Sequence, residues 1–229
     1  MSIELYWGSG STPAWRILLA LAAKKLPFTS HLLSFSKRET RTPEFLALNP
    51  RGKVPTLKDG DLVINESLAI LAYLDRAYPE VPLFGRTAAE TGAVWRHVME
   101  FESHGNPVIG AVARPILFGT LADDEAKVRE GLPAVIAELD GLEKNVSDGF
   151  LVGGALSAAD LVWFCGLQQL LRAATRPAAA RLELGVWPMG ARWPAIVRWA
   201  ANIEALPGYD ATIPPHWLEG DIPSPSRTS

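Results

Sequence analysis

Lys53-Val54-Pro55-Thr56-Leu57-Lys58-Asp59-Gly60-Asp61-Leu62-Val63-Ile64-Asn65-Glu66-Ser67 is the stretch that decides how this chain is read. Lys53 to Val63 has strand composition on either side of Lys58-Asp59-Gly60-Asp61, an Asp-Gly turn signal. A helix is expected from Glu66 to Tyr78. Upstream, Pro43 to Leu48 makes about one helical turn that ends before Pro50. Phe28 to Phe35 returns to strand composition. Pro13 to Lys25 is a helix with Ile17, Leu18, Leu21 and Ala22 on one face, and Ile3 to Trp7 is a short strand. The order β, α, β, α, β, β, α predicts a small mixed sheet with helices packed on it.

Downstream the texture changes. Pro79-Glu80-Val81-Pro82-Leu83-Phe84-Gly85 breaks any helix. Helical spacing then fills 87–121, 124–146, 157–174 and 194–205, with a kink or break expected at Gly105-Asn106-Pro107 and no convincing strand. The fold expected is α/β over 1–80, a linker over 81–86 and an all-α domain over 87–229. Leu206-Pro207-Gly208 is expected to open an irregular tail, frayed at Pro223 to Ser229.

Composition narrows the function. The chain has 229 residues, 48% of them apolar and 21% charged, which excludes a disordered or fibrous protein. A net charge of -3 leaves no basic surplus for a phosphate backbone, so nucleic acid is not expected as a partner. Cys165 is the single cysteine, which excludes an internal disulfide, a Cys-x-x-Cys redox site and a cysteine-rich zinc site. It lies among Val162, Trp163, Phe164 and Leu167 and reads as buried and inert. The start, MSIELYW, lacks the basic and apolar regions of a signal peptide, and no apolar run approaches 18 residues. A cytoplasmic protein with no membrane contact is the expectation.

Three places can carry chemistry. In Tyr6-Trp7-Gly8-Ser9-Gly10-Ser11-Thr12-Pro13-Ala14-Trp15-Arg16, two glycines and three hydroxyls precede a helix. Pro13 suits the first helical position, which makes Thr12 the expected N-cap. The turn then offers hydroxyls and backbone N–H groups to an anion at the positive end of the helix, although a simple capped helix accounts for the same residues. Val54-Pro55 enters a strand, and X-Pro bonds are cis in about 5–6% of cases. Ser67 at a helix start can bind a carboxylate, while Glu66 can hold an ammonium or simply favour the helix dipole.

These signals, in this order, resemble the cytosolic glutathione transferase superfamily in its serine-type, theta-, zeta- and phi-like branch. The resemblance spans nearly the whole chain. It rests on Ser9-Gly10-Ser11-Thr12-Pro13, Phe45-Leu46-Ala47-Leu48-Asn49-Pro50, Gly52-Lys53-Val54-Pro55-Thr56-Leu57, Glu66-Ser67-Leu68-Ala69-Ile70 and, in the second half, Gly153-Gly154-Ala155-Leu156-Ser157-Ala158-Ala159-Asp160-Leu161. It implies a thioredoxin-like first domain and glutathione as co-substrate. It also implies a cis Val54–Pro55 bond, with Val54, Pro55, Glu66, Ser67, Lys53 and Arg41 around the tripeptide. Ser11 aligns with the catalytic serine, with Ser9 and Thr12 as alternatives; Tyr6 falls too early for a catalytic tyrosine. Ser157 and Asp160 form a capping box, with Leu156 and Leu161 spaced as a staple, which is a folding role.

The implied activity is conjugation of the glutathione thiolate to a small hydrophobic electrophile bound between the domains. A glutathione-dependent isomerase, lyase or dehalogenase on the same fold is one alternative, and a non-catalytic glutathione-binding domain is another. Trp7, Phe118, His104 and Trp217 are candidate walls of the electrophile pocket. The four histidines, at 31, 97, 104 and 216, lack metal-ligand spacing, so no metal is expected. Seven consecutive apolar residues, Leu68 to Leu74, exceed what one buried face requires. Ala69 and Tyr73 are therefore expected near an outer surface, continued by Trp95, Val98 and Met99, which predicts an isologous homodimer.

Overall fold

The computed structural model describes residues 3–146, 149–217 and 223–225. The last four residues of the tail expected to fray, 226–229, lie outside them. The chain divides into two compact units, Met1–Phe84 with Leu206–Asp221, and Gly85–Ala205 with Ile222–Ser229.

The first unit is built on a four-stranded sheet in the order β2-β1-β3-β4. β1 (Ile3–Trp7) runs parallel to β2 (Phe28–Leu32) and antiparallel to β3 (Thr56–Asp59), which pairs antiparallel with β4 (Leu62–Asn65). The Asp-Gly hairpin expected at 58–61 joins β3 to β4. Residues 3, 5 and 7 of β1 are buried and alternate with half-buried Glu4 and Tyr6, the pattern of a strand whose faces meet different surroundings. α1 (Thr12–Ala23), α2 (Pro43–Leu48) and α3 (Ser67–Ala77) complete the mixed α/β layer expected from sequence. Leu5, Ile17, Leu21, Leu57, Ile70, Leu71 and Leu74 are all fully buried and form its core.

The second unit is helical: α4 (Ala88–Glu100), α5 (Asn106–Phe118), α6 (Leu121–Asn145), α7 (Ala158–Ala174) and α8 (Pro194–Glu204). Among its described residues the strand-like element is one isolated bridge, Val152 to Ala155. The kink expected at Gly105-Asn106-Pro107 is a π turn over Phe101–Gly105 that joins α4 to α5 without a break. Gly105 ends this turn against Trp163, whose ring would lie 3.0 Å from a Cβ there.

α7 is buried along almost its whole length, Cys165 included, and contacts α4 and α5. Its capping box is present. The fully buried Asp160 carboxylate accepts from the N–H of Leu151 and Ser157 (both 2.8 Å), the Ser157 hydroxyl (2.6 Å) and Trp199 Nε1 (2.9 Å). α8 has no side-chain cap of its own; Glu143 of α6 accepts the N–H groups of Ala195 and Ile196, both at 2.8 Å.

The C-terminal segment is more ordered than the irregular tail expected from sequence. It forms α9 (Tyr209–Thr212) and a 3-10 turn at Pro215–Trp217, and both belong to the first unit, not to the helical one. Trp15 Nε1 donates to Thr212 Oγ1 at 3.0 Å, and the Trp15 and Trp217 rings meet edge to face at 4.8 Å.

Candidate functional site

The turn before α1 is shaped by what packs against it. A Cβ on Gly8 would lie 2.3 Å from the Phe35 ring. Gly10 has φ +88°, and a Cβ there would stand 2.8 Å from His216 Cε1. The turn closes with Ser11 N–H on Gly8 O at 3.1 Å.

The N-cap is Ser11, one residue earlier than the Thr12 expected from sequence. Pro13 is tolerated at the second helical position as well as the first, and Thr12 is the first helical residue. Ser11 has extended backbone, and its Oγ accepts from Ala14 N–H at 3.3 Å. That bond uses a lone pair and leaves the Ser11 O–H to donate outward, at the positive end of the helix. The Ser9 hydroxyl is bonded to His216 Nδ1. Tyr6 is turned elsewhere, donating to Glu4 Oε2 at 3.3 Å and stacking on His31 at 4.3 Å.

The second element is the loop ahead of β3. The Val54–Pro55 bond is cis. Asn49, only 3% exposed, organises the approach: its Nδ2 donates to Lys53 O (2.7 Å) and Thr56 Oγ1 (3.4 Å), and its Oδ1 accepts from Arg51 N–H (3.1 Å). Thr56 Oγ1 donates on to Asn65 Oδ1 at 2.7 Å, tying the loop to β4. The ladder between β1 and β3 ends at the Tyr6–Thr56 pair, so the backbone of Val54 lies beyond it. Arg41 is brought to this loop: its Nη1 donates to Arg51 O at 3.2 Å and would lie 2.6 Å from a Cβ on Gly52. Lys53 is exposed beside it.

The third element is the start of α3. Glu66 stands just before the helix with φ 69°, a left-handed conformation for a residue with a side chain, and is exposed. Strain of this kind costs of order 1–3 kcal/mol and concentrates at ligand sites. Ser67 opens the helix, and its Oγ accepts from Arg16 Nη1 at 3.3 Å. Arg16 is 3% exposed, so a guanidinium is held inside the unit beside the Ser67 hydroxyl and the positive end of α3.

Sequence reasoning missed Arg16, Asn49 and His216 as parts of this site. The available signal for Arg16 was a lone cation inside the apolar run Ala14-Trp15-Arg16-Ile17-Leu18.

The four candidate pocket walls are split between the units: Trp7 and Trp217 belong to the first, His104 and Phe118 to the second. Trp7 is 8% exposed, with Nε1 on Ser30 Oγ at 2.7 Å, and Trp217 is 4% exposed against Trp15, so both pack inward. His104 lies in the π turn and Phe118 ends α5, so the helical path separates their backbones by about 20 Å. Phe118 is 74% exposed. Of the expected surface patch, Trp95 and Met99 are exposed one turn apart on α4, but Val98 is fully buried. On α3, Ala69 is exposed, while Tyr73 is half-buried with its hydroxyl on Asp59 at 2.9 Å.

Comparison with known proteins matches residues 10–77 to the family described as glutathione S-transferase, N-terminal domain, and residues 106–207 to glutathione S-transferase, C-terminal domain. Human glutathione S-transferase theta-1 is 30% identical over 200 residues, covering 82% of this chain and 81% of that one. A probable maleylacetoacetate isomerase from Vibrio cholerae is 30% identical over 220 residues, covering 93% and 96%. The crystal structure of a glutathione S-transferase from the Antarctic clam Laternula elliptica superposes with a TM-score of 0.78 at 30% identity, covering 99% and 97%. With a serine-capped turn before α1, a cis-proline loop and a serine-led α3 in one unit, and with relatives aligned along nearly its full length, the chain belongs to the cytosolic glutathione transferase superfamily.

Proposed function

We propose that this chain is a serine-type glutathione transferase that joins the glutathione thiolate to a small hydrophobic electrophile. The observation that carries this reading is Ser11: its oxygen caps α1 through Ala14 N–H, so its own O–H can donate to sulfur. A free thiol has a pKa near 8.5 and is mostly protonated at pH 7. A donated hydrogen bond and the positive helix end both favour the anion. Thiolate attack then forms the carbon–sulfur bond, with loss of a leaving group or addition across a double bond.

The remaining contacts follow from chemistry. The Ser67 hydroxyl and N–H, with Arg16 beside them, suit the γ-glutamyl carboxylate, and Glu66 suits its ammonium. The Val54 backbone, shaped by Pro55, suits the cysteinyl main chain. Arg41 and Lys53 suit the glycyl carboxylate. A second reading, a glutathione-dependent isomerase, is favoured by the Vibrio cholerae relative.

The reading includes a two-fold homodimer, supported by the exposed Trp95 and Met99 on α4 and the exposed Leu62 on β4. It also includes a cytoplasmic enzyme, consistent with the lack of any helix among the described residues that is long and apolar enough to cross a membrane.

Calorimetric titration with glutathione, followed by turnover of 1-chloro-2,4-dinitrobenzene and of maleylacetone, tests the reading. Binding with conjugation supports the transferase, turnover of maleylacetone alone supports the isomerase, and binding without turnover removes both.

A further inference from the structure

We propose that Ser9 and His216 together receive the proton that the glutathione thiol gives up. This role rests on the transferase reading above. The Ser11 hydroxyl can stabilise a thiolate but cannot store the proton, which needs an acceptor that titrates near neutrality. Imidazole is the side chain whose ordinary pKa lies there.

Three observations put an imidazole on the thiol turn. The Ser9 hydroxyl is bonded to His216 Nδ1. The ring lies so close to Gly10 that a Cβ there would be 2.8 Å from Cε1 and 3.3 Å from Nε2. The residues flanking His216 are anchored: Trp217 packs edge-on against Trp15, Trp15 Nε1 donates to Thr212, and Thr212 Oγ1 donates to Tyr209 O at 2.7 Å. His216 is itself exposed, so a proton it accepts can pass to water.

Residues 8–15 carry no charged side chain. The described tail, 209–217, adds the Asp210 carboxylate and the Tyr209 phenol. The Trp217 ring is 6.2 Å from the imidazole.

The step balances without another reagent. With Nε2 protonated, Nδ1 accepts the Ser9 O–H. As the thiol S–H breaks, Ser9 Oγ takes that proton and passes its own to Nδ1. The imidazolium releases a proton to solvent, and the thiolate remains on the Ser11 hydroxyl.

The test compares Ser9→Ala, His216→Asn and the double variant with the parent. Asparagine can still accept the Ser9 O–H but cannot take up a proton. Thiolate formation is followed by its ultraviolet absorbance after rapid mixing with glutathione, and kcat/KM is measured from pH 6 to 9. Both single variants should lose roughly 10–100-fold at pH 6.5, the low end of general-base effects. The double variant should be no worse than either, glutathione Kd should be unchanged, and the loss should shrink toward pH 9 as solution base takes over. A His216→Asn protein at parental rate at pH 6.5, or one whose Kd rises in step with its lost rate, overturns the proposal. A parent chain that does not bind glutathione removes the transferase reading, and the proposal with it.

Discussion

Replacing Ser11 by alanine removes a helix cap seen in the structure and, on the transferase reading, a hydrogen bond to sulfur. The first is the helix cap. An N-cap serine is worth about 0.5–2 kcal/mol, and a 3.3 Å bond belongs at the low end. For a chain of this size, a loss of about 0.5–1 kcal/mol lowers Tm by roughly 1–4 °C. The second is the hydrogen bond to sulfur that the proposed function assigns to Ser11. By analogy with an oxyanion donor it is worth about 10²-fold in rate, or about 2.7 kcal/mol. Ser11→Asp separates the two. Aspartate caps as well as serine and suits the helix dipole, so Tm should return to the parental value. It has no O–H to give at neutral pH and sets a negative charge beside the sulfur, so kcat should fall at least as far as with alanine. Thermal melts, kcat at saturating glutathione and a spectroscopic titration of the bound thiol read the three quantities. The thiol pKa should rise toward 8.5 in both variants. Parental kcat and thiol pKa in Ser11→Asp would refute the assignment of Ser11 as the sulfur donor.

Ser67→Ala should act on binding and not on the chemical step. Removing one hydrogen bond to a carboxylate, about 1.5 kcal/mol, should raise Kd and KM for glutathione roughly tenfold with kcat unchanged; a fall in kcat at constant KM would contradict the division of roles. Asp160→Ala strands four donors inside the helical unit and should cost at least ~3 kcal/mol, seen as a Tm drop of roughly 6–12 °C. The Tyr78 phenol is pushed up to about 12 by burial and by donating to Asp59 at 2.6 Å. A raised phenol pKa gives stability that is present below the unfolded value near 10 and lost as pH rises toward 12. Denaturant unfolding across pH 9–12 should show that loss, and Tyr78→Phe should flatten it.

What could be read from sequence followed the reach of the interactions involved. The β3–β4 hairpin, α2 and the α7 capping box are local: Asp59-Gly60, Thr42-Pro43 and Ser157-to-Asp160 each state their structure within a few residues. The order of hydroxyls and prolines from Ser9 to Ser67 sufficed for the family. Errors of one residue arose where two placements are locally equivalent, as with Ser11 and Thr12 around Pro13. The larger omissions were contacts that span the chain. Nothing near Trp15 announces that Thr212 accepts its indole N–H 197 residues later, and nothing near Ser9 announces His216, 207 residues away. The inward turn of Trp7 and Trp217, and the distance between His104 and Phe118, were hidden for a related reason. Aromatic composition suggests a wall but does not say which way a side chain faces.

The return of the C-terminal segment to α1 sets an order of events during synthesis. Residues up to Phe84 leave the ribosome about 120 residues ahead of Leu206, and Gly85–Ala205 of the helical unit are made in between. At roughly 5–20 residues per second, the nascent first unit waits on the order of 6–25 s for the piece that covers Trp15. Throughout that interval the indole that will pack against Trp217 is without its cover, beside the turn that carries Ser11. The turn before α1 is therefore among the first parts of the protein to be translated and the last to be completed. A chain that stalls at Ala205 would hold every family motif quoted from its sequence and still lack the segment that packs against that turn.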